Sequence, residues 1–368
     1  MTDTLLSLSG DFDPASEADW LDAVSKALKG GGLERITRRT RDDIAVRPLY
    51  REPDHASADG AAGMPGQSPF LRGGKTEPDP YLQWDIRQGF NHPSPEVTNR
   101  EILRDLERGV SSVELGVDCS GKTGCVLTDL DALTTALKGV RGDLATIALD
   151  HRGAGSGASA AALLALWGEN QADPSTQKFA FNIDVLGTLI RTGKVGGGLD
   201  ASFAKAAALV AALNLRFPLS TTLRADARRV HEAGGSEAQE LGVLMAHGVD
   251  TLRRLEAAGL ATAQAASGLL FTLSVDGNYG LGIAKLRAAR RLWARIREAL
   301  GLPAAPMRLQ AVTSSRMLTK YDPWVNMLRG TAACFAGAVG GADVITVEPF
   351  NVALGRPEEL GRRFARNT

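Results

Sequence analysis

After Trp84, short apolar, β-branched runs alternate with longer helical periods, and this alternation constrains the fold more than any other feature. The strand-like runs are Ser112–Val117, Thr146–Leu149, Phe179–Ile183, Thr221–Leu223, Leu269–Val275, Leu309–Thr313 and Val344–Val347. Helical patterns cover Val97–Gly109, Leu130–Leu137, Ala160–Trp167, Ser202–Leu213, Glu237–Ala257, Leu281–Leu300 and Trp324–Val339. Strands alternating with helices pair in parallel through right-handed crossovers. Seven strands are one short of a closed barrel, and the eighth is expected between Arg224 and Gly235. An open doubly wound sheet is the other solution, but no GxGxxG fingerprint follows the first strand. The expected fold class is therefore α/β: a (βα)8 TIM-type barrel over residues 84–368.

Residues 1–83 read as an N-terminal helix followed by an extended arm. The helical pattern spans 14–30, with Trp20, Val24, Ala27 and Leu28 on one side, and ends at Gly30-Gly31-Gly32. Residues 51–80 hold Pro53, Pro65, Pro69, Pro78 and Pro80 among Gly, Ser and Asp, too much punctuation for a regular element. Either an arm lying on a surface or a flexible linker fits this composition.

A hydrophobic fraction of 44% excludes global disorder, and 42 basic residues balance 42 acidic ones, so no charge excess points to nucleic acid. Cys119, Cys125 and Cys334 form neither a disulfide framework nor a CxxC pair, and the five histidines show no metal-ligand spacing. No apolar run has the length of a membrane span, and Met1-Thr2-Asp3 does not open a basic-then-apolar leader. A cytoplasmic protein without metal or membrane association is expected.

Barrel active sites sit at the C-terminal ends of the strands. The polar residues at those ends are Asp118, Asp150-His151-Arg152, Asp184, Asp226 with His231, Asp276 with Asn278 and Tyr279, Ser314-Ser315-Arg316, and Glu348. Asp150 and His151, leading into a glycine-rich stretch at Gly153, have the composition of a general base beside an anion cradle. Turn geometry alone accounts for the same residues. His231 is a candidate acid or base, or a hydrogen-bonded core histidine. No GxSxG elbow or GxxxxGK[ST] loop is present. Composition and spacing name no reaction.

Three ordered stretches resemble the adenosylcobalamin-dependent acyl-CoA mutases, methylmalonyl-CoA mutase in particular. The first joins Ile44-Ala45-Val46-Arg47-Pro48-Leu49-Tyr50, Phe70-Leu71-Arg72-Gly73 and Trp84-Asp85-Ile86-Arg87-Gln88-Gly89-Phe90. It is similar to that family's PLY, RG and PWTIRQYAGF elements. The second is His231-Glu232-Ala233-Gly234-Gly235. The third runs from Arg316-Met317-Leu318-Thr319 through Asp322-Pro323-Trp324 to Gly340-Gly341-Ala342-Asp343. The resemblance implies a barrel whose axis accepts the pantetheine of an acyl-CoA, with Arg72, Arg87 and Gln88 as substrate-binding candidates. It also implies adenosylcobalamin, held at the strand ends by a separate domain, as the source of a radical that rearranges the carbon skeleton.

Departures from the family pattern fall on its chemistry. A tyrosine of the catalytic chains, five residues before the tryptophan, is replaced by Asp79, and Tyr81 stands two places off. The position of the family's catalytic histidine in YHMQEAG is Arg229, with His231 in the glutamine's place. No DxHxxG cobalt-binding pattern fits, so no cobalamin-binding domain is expected in these residues. This pattern resembles the small, non-catalytic subunit of heterodimeric methylmalonyl-CoA mutases. The implied partner is a large catalytic subunit along which the arm would lie, with a homodimer as the other assembly. Two further readings stay open. One is a catalytic barrel using Asp150, His151 or His231 with cobalamin on another chain, and the other is an acyl-CoA-binding or scaffolding barrel.

Overall fold

The computed structural model describes residues 15–51, 54, 63–77, 79–152 and 157–368. A two-stranded antiparallel hairpin, β1 (Arg38–Arg39) and β2 (Ala45–Val46), lies in the N-terminal region. Eight parallel strands then close into a barrel in the order β10-β3-β4-β5-β6-β7-β8-β9. They are β3 (Asp85–Phe90), β4 (Ser112–Val117), β5 (Thr146–His151), β6 (Phe179–Ile183), β7 (Thr221–Asp226), β8 (Leu269–Val275), β9 (Arg308–Thr313) and β10 (Val344–Thr346). All seven expected runs form strands. The eighth does not lie between Arg224 and Gly235. It is Asp85–Phe90, which pairs with β4 on one side and β10 on the other. Arg224–Asp226 instead completes β7, and Arg228–Glu232 is a short helix.

The helices between strands are set by their caps. Ser94 accepts a hydrogen bond from the Val97 amide and Pro95 follows it, starting the helix Pro95–Leu106. Asp184 caps Val185–Thr192 through the Gly187 amide. Ser236 and Gln239 form a capping box at the head of Glu237–Ala257. These helices press an apolar layer against the outer face of the barrel. Phe179, Phe181 and Phe217 meet at ring separations of 5.2–5.7 Å, and Phe271 meets Trp293 at 4.5 Å. Gly248 permits that second contact, since a Cβ there would stand 3.0 Å from the Phe271 ring.

The inner face is different. Strand residues alternate between faces, so the registers bring Arg87, Glu114, Asp150, Arg224 and Gln310 toward the axis. Contacts across the lumen bear this out. Arg87 donates to Gln310 at 3.3 Å, Gln310 to Glu114 at 3.4 Å and to Thr346 at 3.0 Å, and Arg224 to Asp150 at 3.3 Å. A TIM-barrel interior is ordinarily packed with branched apolar side chains. Here it is filled by a charged, hydrogen-bonded network.

The segment 63–77 passes the N-terminal ends of the strands. Gly74 lies against Pro306, and Gly341, at φ +81°, faces the Arg72 carbonyl, where a Cβ would meet it at 3.2 Å. Residues 1–61 form a separate unit. Within it, helix Glu17–Ala27 starts at a capping box of Ser16 and Asp19, and no residue described there is buried. Among the described residues, no helix is long and apolar enough to cross a membrane. Cys119 is exposed, and Cys125 and Cys334 are buried free thiols.

Candidate functional site at the barrel mouth

A cavity of about 380 Å³ opens over the C-terminal ends of the strands, bordered by Gln88, Glu114, Asp150, Arg152, Arg228 and Glu348 among others. Asp150, the penultimate residue of β5, stands at its charged centre. It accepts from Arg152 Nε at 2.8 Å and Arg224 at 3.3 Å, and Arg228 lies 3.9 Å away. Burial alone would raise its pKa, but the three guanidiniums override that and hold the carboxyl well below the usual range. Asp226 grips Arg228 through both oxygens, at 3.0 and 2.6 Å, and its pKa falls to about 2 despite burial. Glu348 behaves oppositely. Burial, aided by the neighbouring charges of Glu114 and Asp150, pushes its pKa up against the pull of Arg152 and Arg228.

The histidines do not join this cavity. His151 points to the outer face, 2% exposed, with Nε2 3.1 Å from the Phe181 carbonyl. Burial, with help from Arg224, lowers its pKa to about 4, so the ring is neutral and donates to that carbonyl at physiological pH. His231 is fully buried. Its Nε2 meets Ser314 Oγ at 2.8 Å, and Nδ1 stands 3.6 Å from Glu240, which also binds Lys285 at 2.5 Å. Glu232, next to it, borders the cavity, but His231 does not. His247 pairs with Asp184 at 2.9 Å, and that carboxylate raises its pKa against the effect of burial. The glycine stretch after Arg152 lies at 153–156, outside the described residues. Asp118 is occupied by the amides and hydroxyls of Ser120 and Thr123.

The three substrate-binding candidates are strung along the barrel rather than gathered. Arg72 is exposed at the N-terminal end, Arg87 is buried in the axis with Nε 2.8 Å from Ser112 Oγ, and Gln88 borders the cavity. Sequence reasoning missed Glu114, Arg224, Arg228 and Gln310. A signal was present, since Ser112/Glu114 and Arg224/Asp226 place polar residues two apart in or beside apolar runs. Among the described residues, no group of three His, Cys, Asp or Glu side chains is placed to hold a metal ion.

The sequence profile described as Methylmalonyl-CoA mutase matches residues 39–368. The chain belongs to the methylmalonyl-CoA mutase family. It is 41% identical to the methylmalonyl-CoA mutase small subunit of Streptomyces virginiae, over 100% of this chain and 59% of that protein. Identity to the small subunit of Propionibacterium freudenreichii subsp. shermanii is 33%, over 100% of this chain and 58% of that protein. A probable small subunit of Mycobacterium bovis is 35% identical over 94% of this chain and 55% of its own length. The chain thus spans less than two thirds of the curated relatives it matches.

Within the family frame, both departures acquire a location. Asp79 accepts from the Tyr81 and Leu82 amides in an exposed turn, and Tyr81 is 96% exposed, so neither supplies an aromatic wall to the cavity. Arg229, exposed, borders the cavity. The described residues do not fit the role of cobalt ligand for adenosylcobalamin. His151, His231 and His247 are buried with a ring nitrogen engaged, and His92 Nδ1 accepts from the Ser94 amide.

Proposed function

We propose that this chain is the barrel of a non-catalytic, small-subunit-type component of methylmalonyl-CoA mutase. Its partner is a large catalytic subunit that binds adenosylcobalamin and interconverts methylmalonyl-CoA and succinyl-CoA by radical rearrangement. The observation that carries this reading is the filled axis. A pantetheine passing through would have to displace the Arg87–Gln310–Glu114–Thr346 network. Leaving a buried charge such as that of Arg87 or Glu114 without its partners costs about 3–5 kcal/mol, and the amides of a pantetheine return only neutral hydrogen bonds in exchange. What the chain's own residues do is therefore structural: the inner ion pairs hold the barrel mouth rigid for a neighbouring chain. Supporting this, Arg229 replaces an acid–base histidine with a group that stays protonated.

The N-terminal region is the proposed dimerisation element. A helix and hairpin with no buried residue do not order themselves in water, because isolated helices this short are marginal. A partner surface supplies the missing burial, in the cytoplasm, where both chains would be assembled.

Co-expression with a large subunit tests the reading. The two chains are expected to copurify, and full mutase turnover is expected only from the pair. Robust turnover by the isolated chain with adenosylcobalamin and methylmalonyl-CoA would sink it, as would micromolar binding of an acyl-CoA by the isolated chain.

A further inference from the structure

Helix Val325–Val339 lies over β9 and β10, where Gly337 rests against Ala311 and Ile345. Its inward side is small and buried, as at Ala333, Ala336 and Gly337. Its outward side is large and apolar. The exposed positions from the N-cap onward are Trp324, Leu328, Thr331, Phe335 and Val339, and none of them carries a charge. At 100° per residue these five fall within about 80° of arc, a single stripe along about 22 Å of helix. The neighbouring helix Tyr279–Ala299 widens it, since the half-exposed Tyr279 meets Phe335 edge-on at 6.0 Å. A barrel helix that simply faces water looks different. On Glu237–Ala257 every exposed apolar residue is alanine or glycine.

The spacing of the stripe is its own reverse. Trp324 and Val339, Leu328 and Phe335, and Thr331 and Ala332 are each symmetric about the point between 331 and 332. Two such helices laid antiparallel therefore put Trp324 on Val339 and Leu328 on Phe335, large residue against smaller. Thr331 and Ala332 fall at the crossing, where short side chains let the backbones approach. We infer that this face docks a second copy of the chain, antiparallel, across a two-fold axis. Such a contact uses one patch on both copies and requires this kind of self-complementarity. Trp324 is 56% exposed, Leu328 73% and Phe335 55%. With Tyr279 and Val339 they present roughly 550 Å² per copy, and twice that just clears the ~1,000 Å² of a specific interface. A weak dimer is expected, with Kd in the micromolar range. No charge in the stripe has to be stripped of water to form it. The pairing is independent of the subunit reading, because it does not involve the N-terminal region proposed to meet a large subunit.

Sedimentation velocity of the full chain from about 1 to 200 μM is the test, and a monomer–dimer equilibrium within that range is the expected result. Leu328→Lys and Phe335→Glu should each weaken dimerisation about ten-fold or more, since each sets a charge against an apolar residue of the other copy. Mixing the two variants should restore the dimer. The introduced ammonium then faces the introduced carboxylate, while the unaltered Phe335 of one chain meets the unaltered Leu328 of the other. Thr331→Cys, a small change at the crossing, should yield a disulfide-linked dimer under mild oxidation where the parent does not, and it serves if a charge variant folds poorly. Self-docking is overturned if the chain stays monomeric throughout the range or if the dimer survives either charge. It is equally overturned if mixing restores nothing and Thr331→Cys gives no linked dimer. A large subunit that copurifies with the parent but not with Leu328→Lys would assign the face to that subunit instead. Retained copurification with Leu328→Lys is the expected outcome, and it keeps the two readings separable.

Discussion

The same eight strands build two unlike surfaces. Their outer face is an apolar seam against the helices, with Phe179, Phe181, Phe271 and Leu309 all essentially buried. Their inner face carries Arg87, Glu114, Asp150, Arg224 and Gln310, equally buried but polar. The outer face is stabilised by area removed from water, which tolerates small shifts in geometry. The inner face depends on complete pairing, since a buried charge that loses its partner retains its desolvation cost. One strand thus holds two kinds of cohesion on alternate residues, and they should fail differently.

Single truncations on either face give the largest expected effects. Asp150→Ala leaves Arg152, Arg224 and part of the Arg228 field unneutralised, and should cost about 3–5 kcal/mol in urea unfolding. Phe271→Ala, on the outer face, should cost a similar 3–5 kcal/mol by cavity formation against Trp293. The distinction appears in the compensating variants. Replacing Arg87, Glu114 and Gln310 together by Met, Leu and Leu should be neutral, or stabilising by about 1–4 kcal/mol. A triple variant that unfolds would break the comparison, and one that also binds acyl-CoA would undo the filled-axis reading.

A pH titration sharpens the outer face. His151 takes a proton at about 4 in the folded protein against 6.5 when unfolded. Between those values the unfolded chain binds more protons, so stability falls as pH falls from 6.5 to 4 and this contribution levels off below. The drop should be on the order of 3 kcal/mol. His247, with its raised pKa, contributes the opposite slope, stability lost as pH rises through its folded value. The difference between parent and His151→Gln across this window isolates the first effect, and parallel profiles would exclude it. Asp226 should add a further loss as pH drops through about 2, after that window. The smallest effect belongs to Arg229→Ala, whose stability should stay within about 0.5 kcal/mol of the parent, measured in the same urea series.

How far the fold was legible follows from these two faces. Runs such as Leu269–Val275 announced themselves because apolar and β-branched residues occupied most positions. Asp85–Phe90 did not, because Asp85, Arg87 and Gln88 break any apolar run, although the same residues carry part of the family resemblance. For the same reason the apolar run of β7 stops at Leu223, three residues short of its end at Asp226, two of them charged, and the eighth strand is expected just beyond it. At the site, Asp150 was legible as a strand-end acid and does border the cavity. His231 looked equally eligible, yet packing turned it toward Ser314 and Glu240.

By itself the sequence determined the alternation of strands and helices, the absence of a charge bias, the motifs that place the chain in its family and the two substitutions, Asp79 and Arg229, that separate it from the catalytic pattern. These are local or one-dimensional properties, carried by residue type and spacing. Only the tertiary structure decided that the barrel axis is filled, and which guanidinium meets which carboxylate. Those outcomes depend on residues up to 223 positions apart in the chain, as Arg87 and Gln310 are, meeting at distances of a few ångströms. Pairing energies at that range are set by geometry and burial, which no spacing along the chain encodes.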